Sequence, residues 1–221
     1  MNMTRQGKEL MSRALRHRLR NSASGIKAAT ALLAGQLESR LTPSEREYFP
    51  LIAKECDALA EVASRLSLLL EGVQCGSPGQ VDQIIEQACQ NVQAQYPLVE
   101  INFMAKCRSV AVQVADGSAL LVALKEIIRN AAEASADRRI GIRYSSTKNS
   151  VEIIVNDHGA GIPPAVWPGA LEPFRVPRPG HLGIGLAVAN AAVEAMGGQF
   201  VAEKNEDGFC VVLKLPCMKR D

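Results

Sequence analysis

The 221-residue chain has no apolar run of about 18 residues, the length that a membrane-spanning helix needs. Its first ten residues, MNMTRQGKEL, also lack the apolar segment of a secretory signal peptide. These two absences argue against membrane insertion and predict a cytoplasmic protein with no anchor of its own.

The chain also lacks the cysteine spacing of a metal site or a disulfide framework. Its six cysteines are scattered without a CxxC pair, as expected of reduced thiols in a cytosolic protein. A formal net charge of +2 argues against nucleic acid as the main partner. A chain that is 47% hydrophobic and 22% charged is typical of a soluble globular protein, with one large domain or two small ones.

The first third of the chain has the periodicity of two helices. Apolar residues in 8–39 recur at multiples of three and four, at Leu15, Leu19, Ile26, Leu33 and Leu37. Thr42, Pro43 and Glu45 then form a capping-box sequence, so a second helix is predicted to begin near Pro43 and to end near Gly72. Its apolar stripe comprises Ile52, Cys56, Leu59, Val62 or Ala63, Leu66 and Leu69 or Leu70.

Two long helices joined by a short turn predict an antiparallel hairpin. Because such a hairpin cannot bury its apolar stripes alone, a second copy is expected to complete a dimeric four-helix bundle. A linker, GVQCGSPGQ, then leads into clustered strands and interleaved helices. The expected fold class is α+β, with a second part in which helices cover one face of a mixed sheet.

Three polar stretches of the second part could form a ligand site. In EIIRNAAEA, Glu126 and Asn130 would share a helix face, and their oxygens suit Mg²⁺ near phosphates. In NDHGAGIP, a carboxylate ends a predicted strand, where it could accept a hydrogen bond from an exocyclic amine. In GHLGIGLAVANAA, glycines open a helix whose free N–H groups suit a phosphate chain. Taken singly, each stretch also fits an ordinary helix surface, turn or loop.

The order and spacing of these stretches resemble the ATP-binding domain of the histidine-kinase, gyrase, Hsp90 and MutL superfamily. The matched residues are Asn130 in the N box, Asp157, Gly159 and Gly161 in the G1 box, Phe174 of LEPF in the F box, and Gly183, Gly185 and Leu186 in the G2 box. Upstream, HRLRNSASGIKAATALL resembles the phosphoacceptor H box around His17.

The resemblance implies a two-component sensor histidine kinase core, most like the soluble nitrogen-regulator type. Residues 1–74 would form the dimerisation and phosphotransfer hairpin, and 75–221 a two-layer α/β sandwich with the Bergerat-type ATPase fold. In that family, ATP and Mg²⁺ bind the sandwich, and the γ-phosphate passes to the histidine and then to a response-regulator aspartate.

The resemblance also implies roles for individual residues. Asn130 would ligand Mg²⁺, and Asp157 would hold the adenine amine. The glycines of the two G boxes would let the nucleotide approach and would cradle its phosphates. Asn21, four residues after His17, matches the position that orients water when the regulator is dephosphorylated. Helix geometry places His17 opposite the Leu15, Leu19 and Ile26 stripe, where a partner can reach it.

The chain departs from the family pattern at four places. Arg18 stands where an acid usually follows the histidine, and a guanidinium cannot be a base. It could instead steer the γ-phosphate or an acidic regulator face. Glu126 replaces a second asparagine and would polarise a nucleophile or help to hold the metal. Eight residues separate Phe174 from Gly183, so the ATP lid is short, and His181 stands near the first G2 glycine. His158 is interpreted as a spacer.

The leading hypothesis is an ATP-dependent protein-histidine kinase that is dimeric, acts on a response-regulator receiver domain and also serves as a regulator phosphatase. Because no sensor segment is present, an upstream sensor protein is a further expected partner, unless the chain is an excised core. The alternative is a histidine phosphotransferase of the same architecture that relays phosphate without ATP; Arg18 and the short lid favour it, and the two G boxes oppose it. A serine-directed anti-sigma kinase is disfavoured by the exposed histidine.

Overall fold

The computed structural model describes residues 5–72, 76–105, 112–163, 165–175, 183–205 and 208–218. The chain divides into two compact units, Met1–Glu71 and Gly72–Asp221. None of the helices in the described part of the chain combines the length and the apolar character needed to cross a membrane.

The first unit is the predicted antiparallel hairpin. Helix α1 spans Arg5–Leu37, a short helix α2 spans Pro43–Arg46, and α3 spans Tyr48–Glu71. The capping box is confirmed, because the Thr42 hydroxyl accepts from the Glu45 N–H and the Glu45 carboxylate accepts from the Thr42 N–H at 2.8 Å. The second helix is not continuous from Pro43. Pro50 lacks an N–H, and its ring would clash with the carbonyl of Arg46, so the helix is interrupted at Glu47.

The helices of the hairpin meet through small side chains. The buried residues of this contact are Ala23, Thr30, Cys56, Ala63 and Ser67. The Thr30 and Ser67 hydroxyls are satisfied by the carbonyls of Ile26 and Ala63, at 2.7 and 3.1 Å. Polar pairs flank the contact, with Lys27 Nζ donating to Asp57 at 2.6 Å and Arg20 to the Ser64 hydroxyl at 3.1 Å.

Many large apolar side chains of the hairpin are exposed. They are Leu15, Leu19, Ile26, Leu32, Leu33, Tyr48, Leu51, Ile52, Leu59 and Leu70. Of the stripe predicted for the second helix, Cys56 and Ala63 are buried, whereas Ile52, Leu59 and Leu70 are not. The prediction that the hairpin cannot bury its stripes by itself is therefore confirmed.

The second unit contains a five-stranded mixed sheet. Its strands, in spatial order, are β2 (Glu100–Ala105), β4 (Arg139–Ser146), β5 (Ser150–Asp157), β7 (Gly208–Pro216) and β6 (Gln199–Asn205). The β2–β4 pair is parallel and the other three pairs are antiparallel. Two short strands, β1 (Gly79–Gln80) and β3 (Gln113–Val114), form a separate antiparallel pair.

Helices cover one face of this sheet, as predicted. They are α4 (Val81–Gln95), α5 (Gly117–Ala134) and α7 (Gly185–Ala195), with a short α6 (Trp167–Ala170) after β5. Along β4 and β5 every second residue is buried, whereas the alternate residues are exposed or partly exposed. This period of two is what a sheet with one covered face requires. The α+β two-layer sandwich is confirmed.

Three local predictions need correction or qualification. Strand β1 lies in the stretch predicted as linker, where a Cβ at Gly79 would lie 2.9 Å from the Gly117 Cα, so only glycine allows this approach. Strand β3 is one of the clustered strands expected after the linker, and residues 106–111 before it lie outside the described residues. Helix α7 begins at Gly185 rather than Gly183, which has a positive φ of 65°.

Candidate functional site

Helix α5 is the element on which the second unit's candidate residues converge. It begins at an Asp116 cap, whose carboxylate accepts from the Ala119 N–H at 2.9 Å. Its buried face includes Leu120, Leu124, Ile127, Ile128 and Ala131. Glu126 and Asn130 lie one turn apart, with Glu126 6% exposed and Asn130 partly buried. Packing of the apolar face therefore aims this polar pair to one side of the helix.

The Glu126 carboxylate is held by charges of its own helix. It forms an ion pair with Arg129, whose guanidinium lies 3.9 Å from Glu133. The Tyr96 hydroxyl donates to the Glu133 carboxylate at 2.7 Å. The Arg129 side chain is only 11% exposed, so this pairing takes place largely away from solvent. Arg129 is not among the residues predicted for this site, although its spacing of three residues from Glu126 is a recognisable ion-pair signal.

The G2 stretch lies beside Glu126. A Cβ at Gly185 would lie 2.9 Å from Glu126 Oε2, so a larger residue there would crowd the carboxylate. Leu186 packs against the core from a partly buried position. The Gly183 carbonyl accepts from the Phe174 N–H at 3.1 Å, which joins the F-box and G2 stretches. Phe174 is 55% exposed and has a φ of 65°, an unusual conformation for a residue with a side chain.

The G1 stretch lies at the C-terminal end of α5. Asp157 ends β5, pairs with Ile140 and Phe209, and is 7% exposed. Its carboxylate accepts from the Gly159 N–H at 2.7 Å. A Cβ at Gly159 would lie 2.6 Å from the Ala134 carbonyl oxygen, so this backbone can approach α5 only as glycine.

Gly161 is required for two reasons. Its φ of 69° is left-handed, and a Cβ there would lie 2.7 Å from Phe209 Cδ2. The loop after β5 is thus pressed against α5 on one side and Phe209 on the other.

His158 contributes more than the spacing assigned to it. Its Nδ1 lies 3.1 Å from the Asp137 carboxylate. Desolvation opposes ionisation of Asp137, but bonds from the Arg139 N–H, the Ser135 hydroxyl and the Arg139 guanidinium, together with His158, lower its pKa to about 2. The contact ties the loop after β5 to the turn before β4. His181, in the predicted lid, lies outside the described residues.

Together these contacts arrange three separate stretches along one helix face. Gly185 meets α5 at Glu126, Gly159 meets it at Ala134, and Asn130 lies midway, over about 12 Å of helix. The arrangement fits a nucleotide: the glycines allow close backbone approach, the Asp157 carboxylate can accept from an amine, and Asn130 offers an amide oxygen to a cation. Among the described residues no cluster of three or more His, Cys, Asp or Glu could hold a metal by itself.

The hairpin carries the remaining candidates. His17 is exposed on α1, and its Nδ1 lies 3.1 Å from the side-chain nitrogen of Asn21. Arg18 is exposed beside it and, with Arg13 and Asn21, lines a groove next to the imidazole. A second groove, on the α3 side of His17, is lined by Arg13, Arg16, Arg20, Ser64 and Leu68.

Known proteins resemble the second unit and, at lower identity, most of the chain. Residues 115–219 match the family described as histidine kinase-, DNA gyrase B-, and HSP90-like ATPase. The sensory histidine kinase/phosphatase NtrB of Rhizobium meliloti is 26% identical over 211 residues, which cover 83% of this chain and 52% of that protein. NtrB of Vibrio alginolyticus is 24% identical over 237 residues, covering 97% of this chain and 64% of that protein.

A solved structure shares the fold of most of the chain. Full-length ShkA, in complex with AMPPNP, superposes with a TM-score of 0.78 at 18% identity, covering 95% of this chain and 46% of that one. The present chain spans between about half and two thirds of the length of the two NtrB relatives.

Residues 115–219 are therefore a domain of the histidine kinase-, gyrase- and HSP90-like ATPase family. With the helical hairpin before it, the chain is similar over most of its length to sensory histidine kinase/phosphatases named NtrB.

Proposed function

We propose that this chain is the core of an ATP-dependent protein-histidine kinase that phosphorylates its own His17 and passes the phosphoryl group to a response-regulator aspartate. One observation carries the proposal: the N-box, G1 and G2 stretches, which are far apart in sequence, meet along α5 between Glu126 and Ala134. A relay protein without ATP chemistry would have no need of this arrangement.

Each residue of the site has a proposed task toward the nucleotide. Asp157, buried at the end of β5, accepts from the adenine amine, and Gly159 and Gly161 let the base approach the backbone. Gly183 and Gly185 leave room for the phosphates at the start of α7, and Phe174 and Leu186 flank that end of the site. Asn130 ligands Mg²⁺, which neutralises phosphate charge when it is bound.

Glu126 lies at the phosphate end, beside Gly185. Its carboxylate either polarises the attacking nucleophile or joins Asn130 as a metal ligand. The ion pair with Arg129 balances its charge and fixes its position within the helix face.

The hairpin supplies the acceptor and the partner surfaces. His17 is exposed, as attack on a bound phosphate and access by a receiver domain both require. Asn21 would orient water when the same chain acts as regulator phosphatase. The exposed stripe of Leu15, Leu19, Ile26 and Leu33 would pair with a second copy, giving the four-helix bundle. A cytoplasmic location and an upstream sensor protein belong to the same proposal.

Labelling of the full chain with radioactive ATP tests the proposal. The wild type should acquire acid-labile, alkali-stable phosphate, and His17→Gln should acquire none while still binding ATP. Asp157→Asn should weaken ATP binding about 10- to 100-fold, since it alters a charged hydrogen-bond acceptor. Glu152→Gln, which changes a partly exposed carboxylate of the same strand, is the matched control and should bind normally.

Two results would overturn the kinase proposal. If calorimetry shows no ATP binding and a phosphorylated receiver domain labels His17, the chain is the ATP-independent phosphotransferase instead. If His17→Gln accepts phosphate from ATP as the wild type does, the assignment of the acceptor is wrong.

A further inference from the structure

One side chain in the described part of the chain is hydrogen-bonded to the imidazole of His17 and can therefore select its tautomer. Arg18 occupies the next position, and a guanidinium only donates hydrogen bonds, so it cannot accept a proton from the ring. Among the described residues, the hydrogen bond recorded for this ring joins its Nδ1 to the Asn21 amide, one helical turn later, at 3.1 Å.

The nitrogen and the oxygen of the Asn21 amide favour opposite tautomers of a neighbouring histidine ring. An amide nitrogen only donates, so the ring nitrogen that it contacts must be the one with the free lone pair, and the ring proton then sits on Nε2. A protonated Nε2 has no lone pair with which to attack phosphorus. If the amide oxygen faces the ring instead, it accepts from Nδ1–H and leaves the lone pair on Nε2.

We propose that Asn21 is a positioning residue that selects the tautomer of His17. The arrangement in this structure, with the amide nitrogen at Nδ1, holds the resting ring. A half-turn of the amide brings Oδ1 to Nδ1–H and produces the ring whose Nε2 can react. Asn21 thereby supplies the orienting acceptor that Arg18 cannot. The inference rests on the proposed function only in taking His17 as the phosphoacceptor.

The reacting step then balances as follows. The Nε2 lone pair forms the bond to the γ-phosphorus of ATP, the bond from that phosphorus to the β,γ-bridging oxygen breaks, and ADP leaves with the electron pair. The Nδ1 proton stays on the ring, where Asn21 Oδ1 accepts its hydrogen bond, until water removes it.

The other residues around His17 can bind the phosphoryl group, which leaves orientation of the ring to Asn21. The residues lining its two grooves include Arg13, Arg16, Arg18 and Arg20, which can attract a phosphoryl group but offer no acceptor to the ring. Arg16 lies 3.7 Å from Glu71 Oε2, and Arg20 donates to the Ser64 hydroxyl, so these two guanidiniums have partners of their own.

The test uses the full-length chain with three variants. Asn21→Asp keeps the size but only accepts, Asn21→Leu keeps the size but does neither, and Gln36→Leu removes an exposed amide elsewhere on α1 as the matched control. The first readout is the ¹⁵N spectrum of the His17 ring, which reports the tautomer without any nucleotide. The second is the rate at which phosphoramidate, a small phosphoryl donor, labels Nε2 at about pH 8, where free imidazole is neutral.

The expected order of labelling rates is Asp above Leu above Asn, because the resting arrangement of the wild type keeps the ring proton on Nε2. Neighbours in this order should differ about two- to tenfold, as expected for one hydrogen bond. The Asp variant should show Nδ1–H, the Leu variant the tautomer ratio of free histidine, and Gln36→Leu the wild-type spectrum and rate. If Asn21→Leu keeps the wild-type tautomer ratio, or if Asp labels no faster than Leu, the inference is wrong.

Failure of this inference can be told from failure of the proposed function. If phosphoramidate labelling follows the order but ATP labels no variant, Asn21 sets the tautomer and the kinase proposal falls. If ATP labels the wild type and both Asn21 variants equally, the kinase proposal stands and the inference on Asn21 falls.

Discussion

The two units of the chain differ in where their large apolar side chains lie: they are buried in the second unit and largely exposed in the hairpin. In the second unit the largest fully buried residues are branched aliphatics such as Leu124, Ile127, Ile153 and Leu213, which close a complete core between helices and sheet. In the hairpin, the buried contact is made by Ala23, Cys56, Ala63 and other small residues, and many of the leucines and isoleucines are exposed. The second unit is complete by itself, whereas the hairpin presents a surface that needs a partner.

This difference fits the separate tasks proposed for the units. A nucleotide site needs closely held backbone, and Gly159 and Gly185 lie where a Cβ would come within 2.6 and 2.9 Å of the nearest atom of α5. A phosphoacceptor must instead be reached by a nucleotide, a receiver domain and water in turn. An exposed histidine on a two-helix scaffold gives that access, and the proposed second copy would stabilise the scaffold.

The largest expected effect is on the hairpin's dimer. Ile26→Glu should convert dimer to monomer by light scattering, because each buried isoleucine contributes about 1.5–3 kcal/mol and an unpaired charge would be buried in its place. Leu32→Glu is the matched control, since Leu32 is 68% exposed on the same helix but lies far around from the Ile26 stripe. ATP binding should be unchanged in both variants. A dimer that survives Ile26→Glu would remove the stripe from the interface.

The second prediction concerns the completed core. Leu124→Ala should lower the free energy of unfolding of the second unit by about 2–5 kcal/mol, since a fully buried leucine leaves a cavity. Urea unfolding can be followed by the fluorescence of the single tryptophan, Trp167, which packs edge-to-face on Phe209. Leu33→Ala, at a half-exposed hairpin position, should leave this transition in place. Equal shifts for the two would mean that the units do not unfold separately.

The sequence predicts the fold well where the apolar residues of a segment follow a single spacing or where a local motif is present. Alternation along β4 and β5 and the capping box at Thr42 are local signals, and both appear as expected. The stripe of the second helix was harder to interpret, because two faces, one for α1 and one facing outward, overlap in a single 3.6-residue period. Nothing in the sequence indicates which of Cys56 and Leu59 faces α1.

The candidate site, like the fold, is only partly predictable from the sequence. The order of Asn130, Asp157 and Gly185 is readable in the sequence, but their convergence on α5 is a tertiary fact. The ion pair of Glu126 with Arg129 and the contact of His158 with Asp137 depend on side-chain direction, which motif matching ignores. Motif position alone therefore indicates only a spacer at His158.

The third prediction compares two glycines, one in each unit. Gly161→Ala should destabilise the second unit by about 1–3 kcal/mol and weaken ATP binding, because φ is 69° and the new Cβ would strike Phe209. Gly25→Ala, in the middle of α1 with open space around it, should stabilise the hairpin by about 0.5–1 kcal/mol. Thermal unfolding and ATP titration of both variants check this, and a stable, ATP-binding Gly161→Ala would contradict the close packing of the G1 loop.

The smallest expected effect is on the pH dependence of stability, which should differ between the two units. The pKa of Asp137, in the second unit, is lowered to about 2, and the pKa of Glu45, in the hairpin, is lowered by hydrogen bonds from the Thr42 hydroxyl and N–H. A carboxyl whose folded pKa lies below its unfolded value stabilises the fold above the unfolded value, about 3.9 for aspartate, and this stabilisation is lost as the pH falls toward 2.

Asp137→Asn should therefore destabilise the second unit slightly near neutral pH and make the Trp167-monitored stability less dependent on pH between about 4 and 2. The effect is small because the carboxyl is exposed to solvent. Glu45→Gln is the control from the other unit, and it should leave the Trp167 signal unchanged because that tryptophan lies in the second unit. If Glu45→Gln moves the Trp167 transition as much as Asp137→Asn does, the two units share one unfolding transition, and the contrast between a complete core and an incomplete hairpin does not extend to their stability.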